Sequence, residues 1–174
     1  RGGTGYGDAG RMARLVLTDA SPLIGLARLD GLTWLGALFG VVWMPDEVRR
    51  EVLSGSGAGD EQAIGAAVAA GFLRVWPAAT PYEPDLPDLD EGESACIRIA
   101  LSGGEDALLL MDERAGRAVA NEHGLRVAGT AAVIGMAKSR GLISSAKGAF
   151  SRLHDSDFRI SAAVIETILR RVGE

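Results

Sequence analysis

The sequence predicts an α/β protein built on a mostly parallel central sheet with helices on both faces. Three observations predict it. Short apolar runs of strand length alternate with segments of helical periodicity, which is the pattern of strand–helix–strand crossovers. The runs Leu15-Val16-Leu17 and Leu108-Leu109-Leu110 are apolar at successive positions, as strands buried on both faces are. Both runs lead into a carboxylate, Asp19 and Asp112, and a parallel sheet binds its ligands outside the carboxyl ends of its strands.

The first strand covers residues 15–18. Ser21-Pro22 then reads as an N-cap followed by proline at the first helical position, and the helix continues through 23–29. A second apolar helix, 32–39, leads to a strand at 41–44, and Pro45 opens a helix to about residue 53. The Gly/Ser stretch 54–59 is a flexible joint. Asp60 caps a helix that runs to about residue 70, where Gly71 stops it. Alternation marks 72–76 as a strand, and the four prolines of 77–88 mark an extended surface loop. A helix at 91–101, a strand at 107–111, a helix at 113–122, a strand at 125–127 and a helix at 131–139 follow. The tail, 145–174, forms two further helices, the last opened by Ser161.

Residues 1–11 are glycine-rich without apolar periodicity and read as a leader or disordered arm ahead of one domain spanning 12–174. Gly5, Gly7 and Gly10 fit G-x-G-x-x-G, but no strand precedes them and no helix follows, so no dinucleotide site is expected there.

With 174 residues, 47% of them apolar and 24% charged, the chain falls among soluble globular proteins able to bury a core without disulfides. No apolar run reaches the roughly 20 residues a bilayer span needs, and no signal-peptide pattern is present, so a cytoplasmic protein is expected. The net charge of −5 argues against a broad basic surface for nucleic acid. It leaves open a nucleic-acid enzyme whose acids are neutralised by divalent cations. The lone Cys96 lies on a helical face and is expected in the core, and no Cys/His spacing suits zinc. Isolated His123 and His154 suit surface or helix-end positions, and Trp34, Trp43 and Trp76 suit core or interface packing.

Asp19, Glu51, Glu93 and Asp112 fall at or near element ends that such a fold gathers. Carboxylates brought together repel one another unless a cation compensates, and Mg²⁺ or Mn²⁺, hard ions that also bind phosphate, would do so. Structural readings stand beside this one. Asp112 can N-cap the helix after it, and Asp90 with Glu93 has capping-box spacing. Glu51 lies late in its helix, where a negative charge opposes the dipole, which leaves a solvated face as its structural reading. Glu47 shares a helix face with Glu51, and Glu91 sits beside Glu93, so the sequence does not separate the members of each pair.

The succession LTDASPLIGLARL, MPDEVRREVL, LDEGESACIRIA, LLLMDERAGRAVA and GLRVAGT resembles the PIN-domain nucleases, named for the PilT N-terminus, over residues 13–147. The likeness is greatest to their prokaryotic VapC-toxin-like branch. The resemblance implies metal-dependent hydrolysis of RNA phosphodiester bonds, with catalytic carboxylates at Asp19, Glu51, Glu93 and Asp112. Asp19, Glu93 and Asp112 would be the principal ligands of Mg²⁺ or Mn²⁺, and Glu51 would orient a second ion or the attacking water. Many relatives have aspartate where Glu93 stands. Thr130, where relatives place an acid or a hydroxyl, is a helix N-cap, a minor site residue, or both. Substrate contacts are expected from Ser21, Arg114, Arg117 and Thr130, with Lys138 and Arg140 as further phosphate candidates.

The same resemblance implies the toxin of a toxin–antitoxin pair, an antitoxin that blocks the cleft, and a homodimer, with the apolar helix at 31–40 as a candidate contact surface. The competing reading is an inactive PIN-like scaffold that binds nucleic acid or protein, against which stand the four retained carboxylates. A haloacid-dehalogenase-like enzyme needs D-x-D-x-T, and Asp19-Ala20-Ser21 lacks the second acid. A receiver needs an acidic cluster and a lysine that find no place here.

Overall fold

The computed structural model describes residues 15–103 and 106–174. The expected leader at 1–11 and the glycine pattern at 5–10 lie outside the described residues. Among these, five strands alternate with nine helices. In chain order they are β1 (Leu15–Thr18), α1 (Ala20–Arg28), α2 (Thr33–Phe39), β2 (Val42–Met44), α3 (Asp46–Val52), α4 (Gly59–Ala70) and β3 (Leu73–Val75). Then come α5 (Glu91–Gly103), β4 (Ala107–Leu110), α6 (Arg114–Glu122), β5 (Arg126–Ala128), α7 (Thr130–Ser139), α8 (Ala146–Asp155) and α9 (Ala162–Arg171). Element ends differ from the expected ones by a residue or two, the ordinary fraying of termini.

The sheet is parallel throughout, in the order β3-β2-β1-β4-β5. The chain winds outward from β1 to β3 and then returns to lay β4 on the other side of β1. That reversal makes the carboxyl ends of β1 and β4 the switch point, where an open parallel sheet leaves a crevice. The register pairs Thr18 with Leu110, and the Asp19 N–H extends the ladder to the Leu110 carbonyl at 2.9 Å.

Alternation along β1 divides the core. Val16 packs with the α1, α2 and α7 side, whereas Leu15 and Leu17 face Ile97 and Ile99 of α5 and Ala120 of α6. Helices therefore cover both faces. Cys96 is fully buried in this second cluster, and burial drives its thiol well above the usual range, which fits a packing role. Trp34 is buried, as are Leu35 and Leu38 of the same helix. Trp43 and Trp76 meet edge to face with centroids 5.5 Å apart. His123 ends α6, and His154 lies in the last turn of α8 with Nε2 3.2 Å from the Ile160 carbonyl oxygen.

Several caps differ from expectation. Asp19, not Ser21, occupies the N-cap position of α1, and Pro22 sits within the first turn, where its missing N–H is still harmless. Ala58 precedes α4, so Asp60 lies inside its first turn and pairs with Arg28 at 3.3 Å. Glu113 takes the N-cap position of α6 that Asp112 was a candidate for, and Gly129 takes that of α7, leaving Thr130 as the first helical residue. Ser161 does open α9, accepting from the Val164 N–H at 3.3 Å.

Candidate metal centre and active site

Asp19 leaves the end of β1 at the N-cap position of α1, yet its side chain makes no capping hydrogen bond. It is only 3% exposed, and its Oδ1 has no hydrogen-bond partner among the described residues. A carboxylate oxygen left in that state is costly unless something else satisfies it. The N-terminus of α5 approaches it closely because residue 92 is glycine. A Cβ on Gly92 would lie 2.7 Å from Asp19 Oδ1 and 3.2 Å from Val48 Cγ2.

The next residue, Glu93, is 4% exposed and points inward from the first turn of α5. Its N–H donates to Asp90 Oδ1 at 2.8 Å, the capping arm expected from the Asp90–Glu93 spacing. A second glycine makes room for it, since a Cβ on Gly116 of α6 would lie 3.1 Å from Glu93 Cδ. One oxygen from each of Asp19, Asp90 and Glu93 falls within 4.8 Å of the other two. Asp90 thus belongs to the centre, although its spacing to Glu93 reads as a cap alone. The signal that could have found it is its place directly before the helix that carries Glu93.

The electrostatics follow from that crowding. Burial, partly offset by the Ala20 N–H, raises the Asp19 carboxyl from 3.8 to about 7, and the charges of Asp90, Glu93 and Glu51 add to the rise. Glu93 is raised by burial first and then by Asp90, with the Asp90 N–H acting against it. Glu51 on α3 is raised by burial and by Asp90. Glu51 lines an acidic pocket of about 410 Å³ with Glu47, Arg50, Asp90, Glu91 and Gly92. Of the two ambiguous pairs only Glu91 and Glu93 separate, because Glu47 lines the same pocket as Glu51. Glu47 accepts the Thr80 hydroxyl at 3.0 Å, and Glu91 is exposed while Glu93 is buried.

Asp112, at the end of β4, is held quite differently. Its carboxylate accepts from the Ser21 hydroxyl at 2.8 Å, the Thr130 N–H at 2.7 Å and the Thr130 hydroxyl at 2.8 Å. Asp112 therefore joins the ends of β1, β4 and β5, and the hydroxyls of Ser21 and Thr130, both expected near substrate, are directed at it. It lies outside the trio of converging oxygens formed by Asp19, Asp90 and Glu93.

Arg114 and Arg117 line a cleft of about 620 Å³ that also includes Ser21 and Asp112. Lys138 and Arg140 lie at the opposite end of α7 from Thr130, and Lys138 donates to the Ser144 carbonyl at 2.7 Å.

An all-oxygen donor set with one unsatisfied buried oxygen fits a hard divalent cation such as Mg²⁺ or Mn²⁺. The sheet and its switch-point carboxylates define a class: an α/β/α fold whose acidic centre can hold a metal ion. The family model DUF3368, described as PIN domain, matches residues 15–174, and the chain belongs to this PIN-domain family. PIN domains are generally nucleases that need divalent metal ions. Neither the curated proteins nor the solved structures give a significant match.

Proposed function

We propose that this chain is a Mg²⁺- or Mn²⁺-dependent ribonuclease that hydrolyses RNA phosphodiester bonds. The observation that carries the reading is Asp19: buried, raised to about 7 and lacking a partner for Oδ1, beside Asp90 and Glu93. Such an arrangement persists in a fold when a ligand compensates it.

Asp19, Asp90 and Glu93 would hold the ion, with Asp112, beyond the end of neighbouring β4, as the fourth carboxylate of the site. A bound ion supplies Lewis acidity, which activates water and stabilises charge on the leaving oxygen. The Asp19 carboxyl must give up its proton to become a ligand, so metal affinity rises with pH toward and above about 7. Glu51, which lines one pocket with Asp90, accepts from the attacking water and orients it. Ser21 and Thr130 fix the orientation of Asp112. Arg114 and Arg117 neutralise phosphates beside it.

The biological role in this reading is the toxin of a toxin–antitoxin pair, acting in the cytoplasm as a homodimer until an antitoxin covers the cleft. Its support is the likeness of the site motifs to the VapC-like branch. Among the described residues no helix is long and apolar enough to cross a membrane.

The test is cleavage of a mixed pool of labelled single-stranded and structured RNAs with Mn²⁺, Mg²⁺ or EDTA, comparing the parent with Asp19→Asn and Asp112→Asn. Cuts that require metal and disappear in both variants are expected. Undiminished cutting by either variant would remove that residue from the site, and no cutting by a folded, metal-loaded parent would favour the inactive scaffold.

A further inference from the structure

We propose that the cleft beside Asp112 is the path of the RNA strand away from the carboxylate centre, and that Arg159, in the α8–α9 connection, binds a phosphate there together with Arg114 and Arg117. This rests on the ribonuclease reading above and adds to it a direction and a residue remote in sequence from the acids.

The first support is the state of the arginines. Most others are engaged, Arg140 excepted: Arg28 with Asp60, Arg49 and Arg50 with Asp46, Arg98 with the Pro84 carbonyl, Arg152 with Asp30, Arg170 with Glu166. The side chains of Arg114, Arg117 and Arg159 have no hydrogen bond or ion pair among the described residues, and all three line the cleft that contains Asp112. Against Asp112 and Glu113 on the same lining the three arginines leave an excess of positive charge, which a phosphate would neutralise.

The second support is that the Arg159 wall is built. The Phe158 ring lies against α1, where a Cβ on Gly25 would sit 3.0 Å from its Cε2. Arg28 Nη1 donates to the Ser156 carbonyl at 2.8 Å, and Ser161 caps α9. α9 in turn packs on α7, where a Cβ on Gly135 would lie 3.0 Å from Ile168 Cγ2. Arg159 is thus an exposed side chain on an anchored segment.

The third support is the contrast across the centre. On the other side of Asp19 and Glu93 the pocket wall carries Glu47, Glu51, Asp90 and Glu91 with Arg50 alone, and Arg50 is already paired with Asp46 at 3.2 Å. Phosphates flanking the cut are repelled there and attracted on the Asp112 side. At about 620 Å³ the cleft falls in the range of roughly 300–1,000 Å³ typical of ligand pockets.

The test uses the intact chain and a fluorescein-labelled single-stranded RNA of mixed sequence. Binding is followed in EDTA at increasing salt, and cleavage in Mn²⁺, for the parent, Arg159→Ala, Arg159→Lys and Lys147→Ala, an exposed cation on α8 that does not line the cleft. Arg159→Ala is expected to bind about tenfold more weakly, with a log–log salt slope smaller by about 0.7 and with KM raised at unchanged kcat. Arg159→Lys recovers most of the affinity, Lys147→Ala matches the parent, and all melt together. Parental affinity and slope in Arg159→Ala, from a parent that binds and cuts RNA, would overturn the path and leave the ribonuclease standing. A parent that binds through Arg159 without cutting would do the reverse. A parent that does neither overturns both, and a fall in melting temperature that accounts for the lost affinity reduces Arg159 to a structural role.

Discussion

The ends of β1 and β4 carry the same sequence feature, an aspartate within two residues of a buried strand, and the structure treats the two in opposite ways. Asp112 receives three donors from Ser21 and Thr130. Asp19 has a buried oxygen with none among the described residues and a carboxyl raised to about 7. Asp112 is a satisfied anion that fastens three strand ends together. Asp19 is an unsatisfied one, and with Asp90 and Glu93 it forms an acidic cluster that could hold a metal ion. Two residues at neighbouring strand ends thus differ: one is tied to the edge of the sheet, and the other has an oxygen left open to a ligand.

Substitution should separate them most sharply. Asp112→Ala strands the N–H and hydroxyl of fully buried Thr130, and urea unfolding should show a loss of about 3 kcal/mol. Asp19→Asn should do the opposite in metal-free protein above pH 7, a gain on the order of 3 kcal/mol, because it removes a charge that burial disfavours. Equal losses in both variants would erase the contrast.

The pH dependence follows from the sign of the Asp19 shift. A carboxyl raised in the folded state contributes stability that is complete below 3.8 and is lost as pH rises through about 7. Glu51 and Glu93 are shifted in the same direction. Metal-free melting temperatures should therefore fall between about pH 4 and 8, and Asp19→Asn should flatten most of that fall. The lowered carboxyls of Asp46, Glu61 and Glu174 act oppositely, as pH falls through their own lower range.

Gly92→Ala is a smaller perturbation of the same centre. A helix favours alanine by about 1 kcal/mol, but a Cβ 2.7 Å from Asp19 Oδ1 must displace that carboxylate or α5. A net loss of about 1 kcal/mol with weakened Mn²⁺ binding is expected from melting with and without metal. Ser21→Ala is the mildest change, removing one of the donors to Asp112 at a cost of about 1 kcal/mol or less and sparing metal binding at Asp19.

Much of this was legible because one physical pattern produces both fold and site. Apolar runs that end on acids predict strands, and a parallel sheet predicts that their ends meet. Asp90 was not legible as part of the centre, since a residue that caps α5 and also faces Asp19 looks in sequence like a cap. Ser21-Pro22 misled in the converse way: its hydroxyl suits an N-cap, but the chain turns a residue or two earlier and sends it to Asp112. Gly92 and Gly116 gave no periodic signal, because their role is the space they leave for carboxylates of other elements. Arg159 stands far along the chain from every acid and meets them only through the packing of α8 and α9.

The most direct test is a Mn²⁺ titration followed by thermal melting at pH 8, with the parent and Asp19→Asn in parallel and EDTA as the reference. The parent should gain melting temperature in proportion to the logarithm of free Mn²⁺ once the site is filled, while the variant starts higher and does not respond. A parent indifferent to the ion, or a variant that responds as strongly, would contradict a metal centre built on Asp19.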